Sequence, residues 1–114
     1  MRVTLSSEDL DGGGRQINLS GILDAPGTME IEEQFRGLID GQGPVIVNLD
    51  GLDYMSSYGL RLLLVSARKV HERGSTLHLA APNDRVMQLI QIAGYDTLFP
   101  VHATIAEAVA ALKE

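Results

Sequence analysis

Two adjacent serines, Ser56 and Ser57, are the residues of this 114-residue chain best placed to do chemistry. They follow an apolar run and two aspartates, Asp50 and Asp53, and they precede a long stretch in which leucines recur at helical spacing. A serine hydroxyl at a helix N-terminus commonly caps the helix by accepting a backbone N–H. It can also be a site where phosphate is added, because free N–H groups and the helix dipole stabilise the new charge. The residues alone leave both roles open.

No other set of residues indicates catalysis. The three histidines are dispersed, and a hydrolase that used Ser57 would need His78 or His102 within hydrogen-bond reach of it. Asp50 and Asp53 could form an acid–base pair, but aspartates at strand ends are usually only solvated. The chain has no cysteine and lacks the histidine and carboxylate spacings typical of metal sites. The sequence therefore predicts no catalytic residue, no metal, no cofactor and a protein that is not an enzyme.

The composition is that of one globular domain over residues 1–114. Hydrophobic residues make up 45% and charged residues 21%, both near the average for such domains. A chain of this length buries enough surface to form a core without disulfides, and the lack of cysteine fits a reducing compartment. No apolar run reaches the roughly 18 residues of a membrane span, and the N-terminus lacks a signal core. We expect a cytoplasmic protein without membrane insertion, in an oligomeric state that the sequence does not define.

Charge is placed unevenly along the chain. The net charge is −6, and residues 1–57 carry three basic and ten acidic side chains, against six and five in residues 58–114. Nucleic acid is not an expected partner, because neutralising phosphates requires clustered lysine and arginine. A protein with a basic surface would be attracted to the acidic half.

Hydrophobic periodicity predicts that strands and helices alternate. Strands are indicated by alternation or by short apolar runs between turn residues, and helices by apolar residues every three to four positions. The predicted strands are Val3–Leu5, Gln16–Ser20, Val45–Leu49, Thr76–Ala80 and Leu98–Val101, and the predicted helices are Thr28–Ile39, Ser57–Glu72, Arg85–Ala93 and one capped by Thr104. This order predicts an α/β fold, a single domain with a mixed, mostly parallel sheet of about five strands and about four helices.

The strands carry further local signals. The first two are expected to pair as a hairpin through a polar turn at Ser6–Gly14, and the chain is expected to leave the sheet at Gly21. Val45–Leu49 is nearly continuously apolar, which predicts a central strand covered on both faces. Pro100 cannot donate to a strand ladder, so the last strand should be an edge.

The first helix is predicted to begin after a break at Ala25–Gly27. Three glutamates would then lie in its first turns, where negative charge complements the helix dipole: Glu30, Glu32 and Glu33. Its buried face is predicted to consist of Met29, Phe35, Leu38 and Ile39.

The helix Ser57–Glu72 has two apolar stripes. Leu60, Leu63, Leu64 and Ala67 recur at core-facing spacing. Tyr58, Leu62 and Val65 lie roughly opposite, and they are either buried by neighbouring helices or form an exposed patch beside Ser57 that suits a protein partner. Met87 and Ile92 of the following helix could extend such a patch.

Several segments resemble the STAS family, the domain of anti-sigma factor antagonists and of sulfate transporter tails. Leu19–Asp24 is similar to the family's L-x-G-x-L-D, Val45–Asp50 to its central strand, and Tyr54–Leu60 to its central motif. Gly94 and the pattern at Thr104–Ala108 complete a likeness that covers nearly the whole chain. The resemblance implies a STAS fold of the anti-sigma factor antagonist type.

The resemblance also implies a mechanism of partner switching in bacterial transcription. Family antagonists bind an anti-sigma factor that is also a serine kinase, and this binding frees a sigma factor. The kinase phosphorylates the antagonist and ends the binding, and a PP2C-type phosphatase resets it. The family's acceptor serine lies two residues before the motif glycine and so matches Ser57. The residues expected to contact the partner are Asp24, Asp53, Ser56, Tyr58, Gly59 and Leu62.

One position departs from the best-studied antagonists. The residue before the acceptor is often aspartate there and is Ser56 here, which makes Ser56 a second candidate acceptor. The alternative is a STAS protein without phosphotransfer, either a subunit docked on a lipid-transport ATPase or a scaffold in a stress-signalling assembly. It would use the same helix surface.

Overall fold

The computed structural model describes residues 2–113 as a five-stranded sheet with helices on both faces. The strands are β1 (Thr4–Asp9), β2 (Arg15–Leu23), β3 (Val45–Met55), β4 (Leu77–Ala80) and β5 (Val101–His102). The helices are α1 (Ala25–Ile39), α2 (Ser57–Glu72), α3 (Asp84–Ile92) and α4 (Ile105–Ala111), with a 3₁₀ turn at Tyr95–Thr97. The predicted fold class and order of elements are confirmed.

The strands lie in the sheet in the order in which they occur in the chain. β1 pairs with β2 in an antiparallel hairpin, as predicted, and every later pair is parallel. Because parallel strands end at the same edge of a sheet, the segments that follow β2, β3 and β4 leave it side by side. This edge holds the starts of α1, α2 and α3.

Two hydrophobic clusters separate the faces of the sheet. The larger cluster joins Ile17, Val47 and Leu79 of the strands to residues of α1, α2 and α3. The smaller one, on the opposite face, joins Ile46 and Ala80 to Ala108 of α4. β3 therefore contributes to both clusters, which confirms that it is a central strand covered on both faces.

The first hairpin is longer than predicted. β1 continues through Ser6–Asp9, in register from Thr4 opposite Ser20 to Asp9 opposite Arg15, where we had expected a polar turn. An edge strand exposed to solvent needs no apolar alternation, so no strand signal is present in this segment of the sequence. The expectation that the chain leaves the sheet at Gly21 is also wrong, because β2 runs on to Leu23.

α1 begins three residues earlier than predicted. Ala25–Gly27 forms its first turn, and the Oδ1 atom of Asp24 accepts the N–H of Gly27 at 2.9 Å as the N-cap. Proline fits the first turn because its missing N–H would have no partner there. The first turn consequently holds no acidic residue, and Glu30, Glu32 and Glu33 begin only in the second turn, further from the helix N-terminus than predicted.

The buried face of α1 also has a different phase. It is formed by Ile31, Phe35 and Ile39, spaced four residues apart, with Leu38 packed beside them. Met29 precedes Ile31 by two residues, which is about 200° around a helix. Its side chain is accordingly 79% exposed instead of buried as predicted.

β3 extends six residues beyond its predicted end. Two register shifts against β2 place extra residues on β3 and let pairing continue to Leu23 opposite Met55. Asp50 and Asp53 are therefore exposed residues of the strand instead of members of a loop. A strand that continues past its covered segment loses the apolar pattern that marks it in the sequence.

The second half agrees more closely with the prediction. α2 has the predicted bounds, and Thr104 caps α4 by accepting the N–H of Glu107 at 3.1 Å. β5 is an edge strand as predicted but has only two residues. Leu98 is exposed, and Phe99 is buried in the core without belonging to the strand.

Gly59, in the first turn of α2, allows this helix to lie against the end of β2. A Cβ atom at this position would come within 2.7 Å of the Leu23 side chain and 2.9 Å of its carbonyl oxygen. Only a residue without a side chain permits this approach.

We therefore expect Gly59→Ala to lower the free energy of unfolding by about 1–3 kcal/mol, the usual cost of overpacking. Gly37→Ala is the matched control, because a Cβ there meets nothing within 4 Å in the last turn of α1. That control should raise stability by roughly 0.5–1 kcal/mol through helix propensity. Urea denaturation measures both, and equal effects of the two substitutions would contradict the packing argument.

Candidate functional site

The candidate site is the start of α2, where Ser56 and Ser57 take different roles. Ser56 is the N-cap, and its Oγ accepts the N–H of Tyr58 at 3.3 Å. The Ser56 N–H donates to the Leu23 carbonyl at 3.0 Å, and its hydroxyl lies 3.4 Å from the same oxygen. Ser56 is thus held between the helix that it begins and the end of β2.

Ser57 is the first residue of α2, and its side chain is exposed to solvent. Because Ser56 supplies the cap, the hydroxyl of Ser57 is not needed to begin the helix. The cap role and the candidate acceptor role, which the sequence left as alternatives, therefore fall on different serines.

Asp24 lies beside this helix start. Leu23 pairs with Met55 at the ends of β2 and β3, so the residues that follow, Asp24 and Ser56, leave the sheet as neighbours. Each is the N-cap of its helix. Two helix N-termini therefore lie next to each other, with the partly buried Asp24 carboxylate at one of them.

Asp53 lies nearby on β3 and is exposed. Its backbone is fixed by Asn83, whose side-chain amide donates to the carbonyls of Leu52 and Asp53 at 3.1 and 3.2 Å. Asn83 also caps α3, with Oδ1 accepting the N–H of Val86 at 2.8 Å. One side chain thus joins the end of β3 to the start of α3, and sequence reasoning did not find it.

Only some of the residues predicted to contact a partner are at the surface. Tyr58 is 64% exposed, whereas Leu62 is 5% exposed and belongs to the core. Gly59 is buried against Leu23 and is not at the surface either. The position of Leu62 shows that the second stripe of α2 is divided, with Tyr58 outside, Val65 partly buried and Leu62 inside.

Tyr58 borders two surface grooves. The first lies between α1 and α2, has a volume of about 480 Å³ and is lined by Met29, Tyr58 and Arg61 among others. The second lies on the other side of α2, has a volume of about 580 Å³ and includes Ser57, Tyr58, Arg61 and Tyr95. The exposed Met29, which was predicted to be buried, therefore belongs to the surface around Ser57.

The histidines lie away from this surface. Nδ1 of His78 and Nε2 of His102 are 3.0 Å apart, and the two rings stack with centroids 5.2 Å apart. His78 alternates along β4 with Leu77 and Leu79, whose side chains face α2, so its ring lies on the α4 side of the sheet. Burial, and secondarily His102, lower the pKa of His78 below its usual value. His71 lies near the C-terminal end of α2, so none of the three is placed to act as a base for Ser57.

Among residues 2–113, no group of three or more histidines, cysteines and carboxylates is arranged to hold a metal ion. No helix in this part of the chain is both long and apolar enough to span a membrane.

Comparison with known proteins assigns the chain to a family. A model described as "Mlab, STAS domain" matches residues 6–101, and the chain belongs to the STAS family. BtrV of Bordetella bronchiseptica, named as an anti-sigma factor antagonist, is 30% identical over 96 residues, which is 83% of each chain. The anti-sigma-F factor antagonist RsfA of Mycobacterium tuberculosis is 34% identical over 68 residues, 60% of this chain and 53% of RsfA.

Solved structures show the same fold. An anti-sigma factor antagonist from Mycobacterium paratuberculosis superposes with a TM-score of 0.89 at 22% identity, over 98% of this chain and 95% of that one. The unphosphorylated anti-sigma factor antagonist SpoIIAA superposes with a TM-score of 0.81 at 23% identity, over 96% of both chains. SpoIIAA of Bacillus in its phosphorylated form superposes with a TM-score of 0.73 at 22% identity, over 96% of this chain and 99% of that one.

The division between the two serines can be tested by stability. We expect Ser56→Ala to lower the free energy of unfolding by about 1 kcal/mol, because the N–H of Tyr58 loses its acceptor. Ser57→Ala should change it by less than about 0.5 kcal/mol, as is usual for exposed residues without a structural partner. Chemical denaturation compares the two variants. A larger loss of stability for Ser57→Ala would mean that Ser57, and not Ser56, caps the helix.

Proposed function

We propose that this protein is an anti-sigma factor antagonist that acts as a phospho-switch. In its unphosphorylated form it binds an anti-sigma factor that is also a serine kinase, and the sigma factor is released. Phosphorylation of Ser57 ends this binding. The observation that carries the proposal is the exposed hydroxyl of Ser57 at the start of α2, beside a serine that already caps the helix.

The chemistry requires a partner that is an enzyme. The Oγ of Ser57 attacks the terminal phosphorus of ATP, a new P–O bond forms, the bond to the ADP oxygen breaks, and the hydroxyl proton passes to a base. His78 and His102 lie on the other face of the sheet, and His71 lies near the far end of α2. We assign the base, the nucleotide and its magnesium ion to the kinase, so that this protein is a substrate and not an enzyme.

The fold tolerates the phosphate because the site lies outside the core. Ser57 begins α2 beside the exposed Tyr58, and the two serines follow the last residue of β3. A group with a charge of about −2 at a helix N-terminus meets the positive end of the helix dipole. Phosphorylation should thus change the surface that a partner contacts and leave the packing of Leu60 and Leu63 unchanged.

The partner surface consists of the exposed and partly exposed residues around Ser57. Tyr58 supplies an aromatic contact, and Asp24, Asp53 and Ser56 supply polar contacts at the neighbouring strand ends. A dianion placed in such a contact costs desolvation and repulsion. A loss of about 2–3 kcal/mol weakens binding by roughly 30- to 150-fold, enough to reverse micromolar binding.

The names of the relatives support this proposal. BtrV and RsfA are named as anti-sigma factor antagonists, and SpoIIAA, whose fold this chain shares, has been solved both unphosphorylated and phosphorylated. A PP2C-type phosphatase would return the phosphorylated protein to its binding form. The whole cycle would take place in the cytoplasm.

The second candidate function is a STAS interaction subunit without phosphotransfer, for a lipid-transport ATPase or a stress-signalling scaffold. Ser56 favours it, because a serine that serves as the cap stands where the best-studied antagonists have aspartate. Such a subunit would bind through Tyr58 and the surrounding surface, and its affinity would not depend on the charge at position 57.

Phosphorylation can be mapped with the serine kinases of the histidine-kinase-like ATPase type that the source genome encodes. Each is incubated with ATP and the protein, and the product is analysed by mass spectrometry. We expect one phosphate, on Ser57, in the wild-type protein and in Ser56→Ala, and none in Ser57→Ala. Full phosphorylation of Ser57→Ala would contradict the assignment of Ser57 as the acceptor, and Ser56 would then be the acceptor to examine.

Binding separates the two candidate functions. We expect Ser57→Asp to bind the kinase at least about tenfold more weakly than the wild type, because one added charge already costs more than about 1.4 kcal/mol in a close contact. Ser57→Ala, which removes the hydroxyl without adding charge, should bind like the wild type. Isothermal titration calorimetry without ATP measures both, and unchanged affinity of Ser57→Asp would favour the subunit without phosphotransfer.

A further inference from the structure

Arg61 lies one helical turn after Ser57 on α2. Ser57 is the first helical residue, so the two positions are related by true helical spacing of i and i+4. Residues at this spacing share a helix face, with Cβ atoms about 5–6 Å apart. Both side chains are exposed, and both line the groove of about 580 Å³ on that side of α2.

The guanidinium of Arg61 has no acidic partner among residues 2–113. The ion pairs in this part of the chain join Arg2 to Glu30, Arg15 to Asp9 and Arg36 to Glu32. The nearest cation on α1 that shares a groove with Arg61 is Arg36, and Glu32 already neutralises it at 3.2 Å. Among the described residues, Arg61 is thus the unpaired positive charge of this groove that lies within about one helical turn of Ser57.

We propose that Arg61 binds the phosphoryl group carried by Ser57, an inference that rests on the proposed function. A guanidinium presents its N–H donors as a planar fork that matches two phosphate oxygens. The carboxylates of the neighbouring strand ends, Asp24 and Asp53, supply only repulsion to a dianion. Arg61 therefore offsets that repulsion and holds the phosphate along the first turn of α2.

This pairing gives the switch a defined phosphorylated form. The phosphate remains a dianion at neutral pH, because a nearby cation favours its charged form. The arginine, in turn, is no longer available to a partner. One modification thus adds negative charge at Ser57 and removes positive charge at Arg61 from the same contact surface.

The test uses the full chain with phosphoserine incorporated at position 57 during translation, so that no kinase is required. The second pKa of the phosphate is followed by ³¹P NMR titration in the wild-type sequence, in Arg61→Gln and in Arg68→Gln. Arg68 is the matched control, since it is exposed, lies on α2 in the same groove and is about 16 Å from Ser57 along the helix axis.

We expect Arg61→Gln to raise the second pKa of the phosphate by about half a unit or more, roughly a threefold change in proton affinity, and Arg68→Gln to leave it unchanged. The Nε–H resonance of Arg61 should also shift when position 57 changes from serine to phosphoserine. Equal pKa values in the two variants, together with an unshifted resonance, would overturn the proposal. Because the phosphate is introduced without a kinase, this result is independent of whether a kinase phosphorylates Ser57 in the cell.

Discussion

The close contact between α2 and the end of β2 is the constraint on which the rest of the site depends. Gly59 lies against Leu23, and Leu23 in turn pairs with Met55 at the end of β3. These contacts fix where β2 and β3 stop and bring the caps of α1 and α2 together. With Gly59 placed against Leu23, Ser56 is the N-cap and Ser57 is the first helical residue. Ser57 is exposed in this arrangement.

The sequence predicted the elements whose pattern reflects burial. α2 was found with its exact bounds because leucines recur along its buried face, and the order of strands and helices followed from the same alternation. The extensions of β1 and β3 were missed because exposed strand residues such as Asp50 and Asp53 have no apolar partner that would reveal them. Backbone hydrogen bonds hold these residues in the sheet. Such bonds do not depend on the side chains, so the sequence does not reveal them.

The sequence located the serine pair at a helix start, but the exposure of the residues around that pair was misjudged. The serine pair was identifiable because a polar pair between a strand and a helix is a local signal, but only packing decides which hydroxyl caps the helix. Gly59 and Leu62 were placed at the surface because a one-dimensional stripe does not show which neighbour covers it. Met29 was assigned to the core because the buried face of α1 was given the wrong phase, without Ile31.

The buried ring of His78 makes the face of the sheet that α4 covers more sensitive to acid than the opposite face. Below about pH 6.5, His78 takes up a proton in the unfolded chain, whereas its buried ring in the folded protein resists protonation. Acidification therefore lowers the free energy of unfolding. This loss of stability affects β5, the short edge strand, and α4, which packs over β4 and β5. The helices that present Ser57 rest on the opposite cluster, which among the described residues contains no histidine. Mild acid would therefore weaken the packing of α4 and β5 on the sheet before it altered the face that carries Ser57.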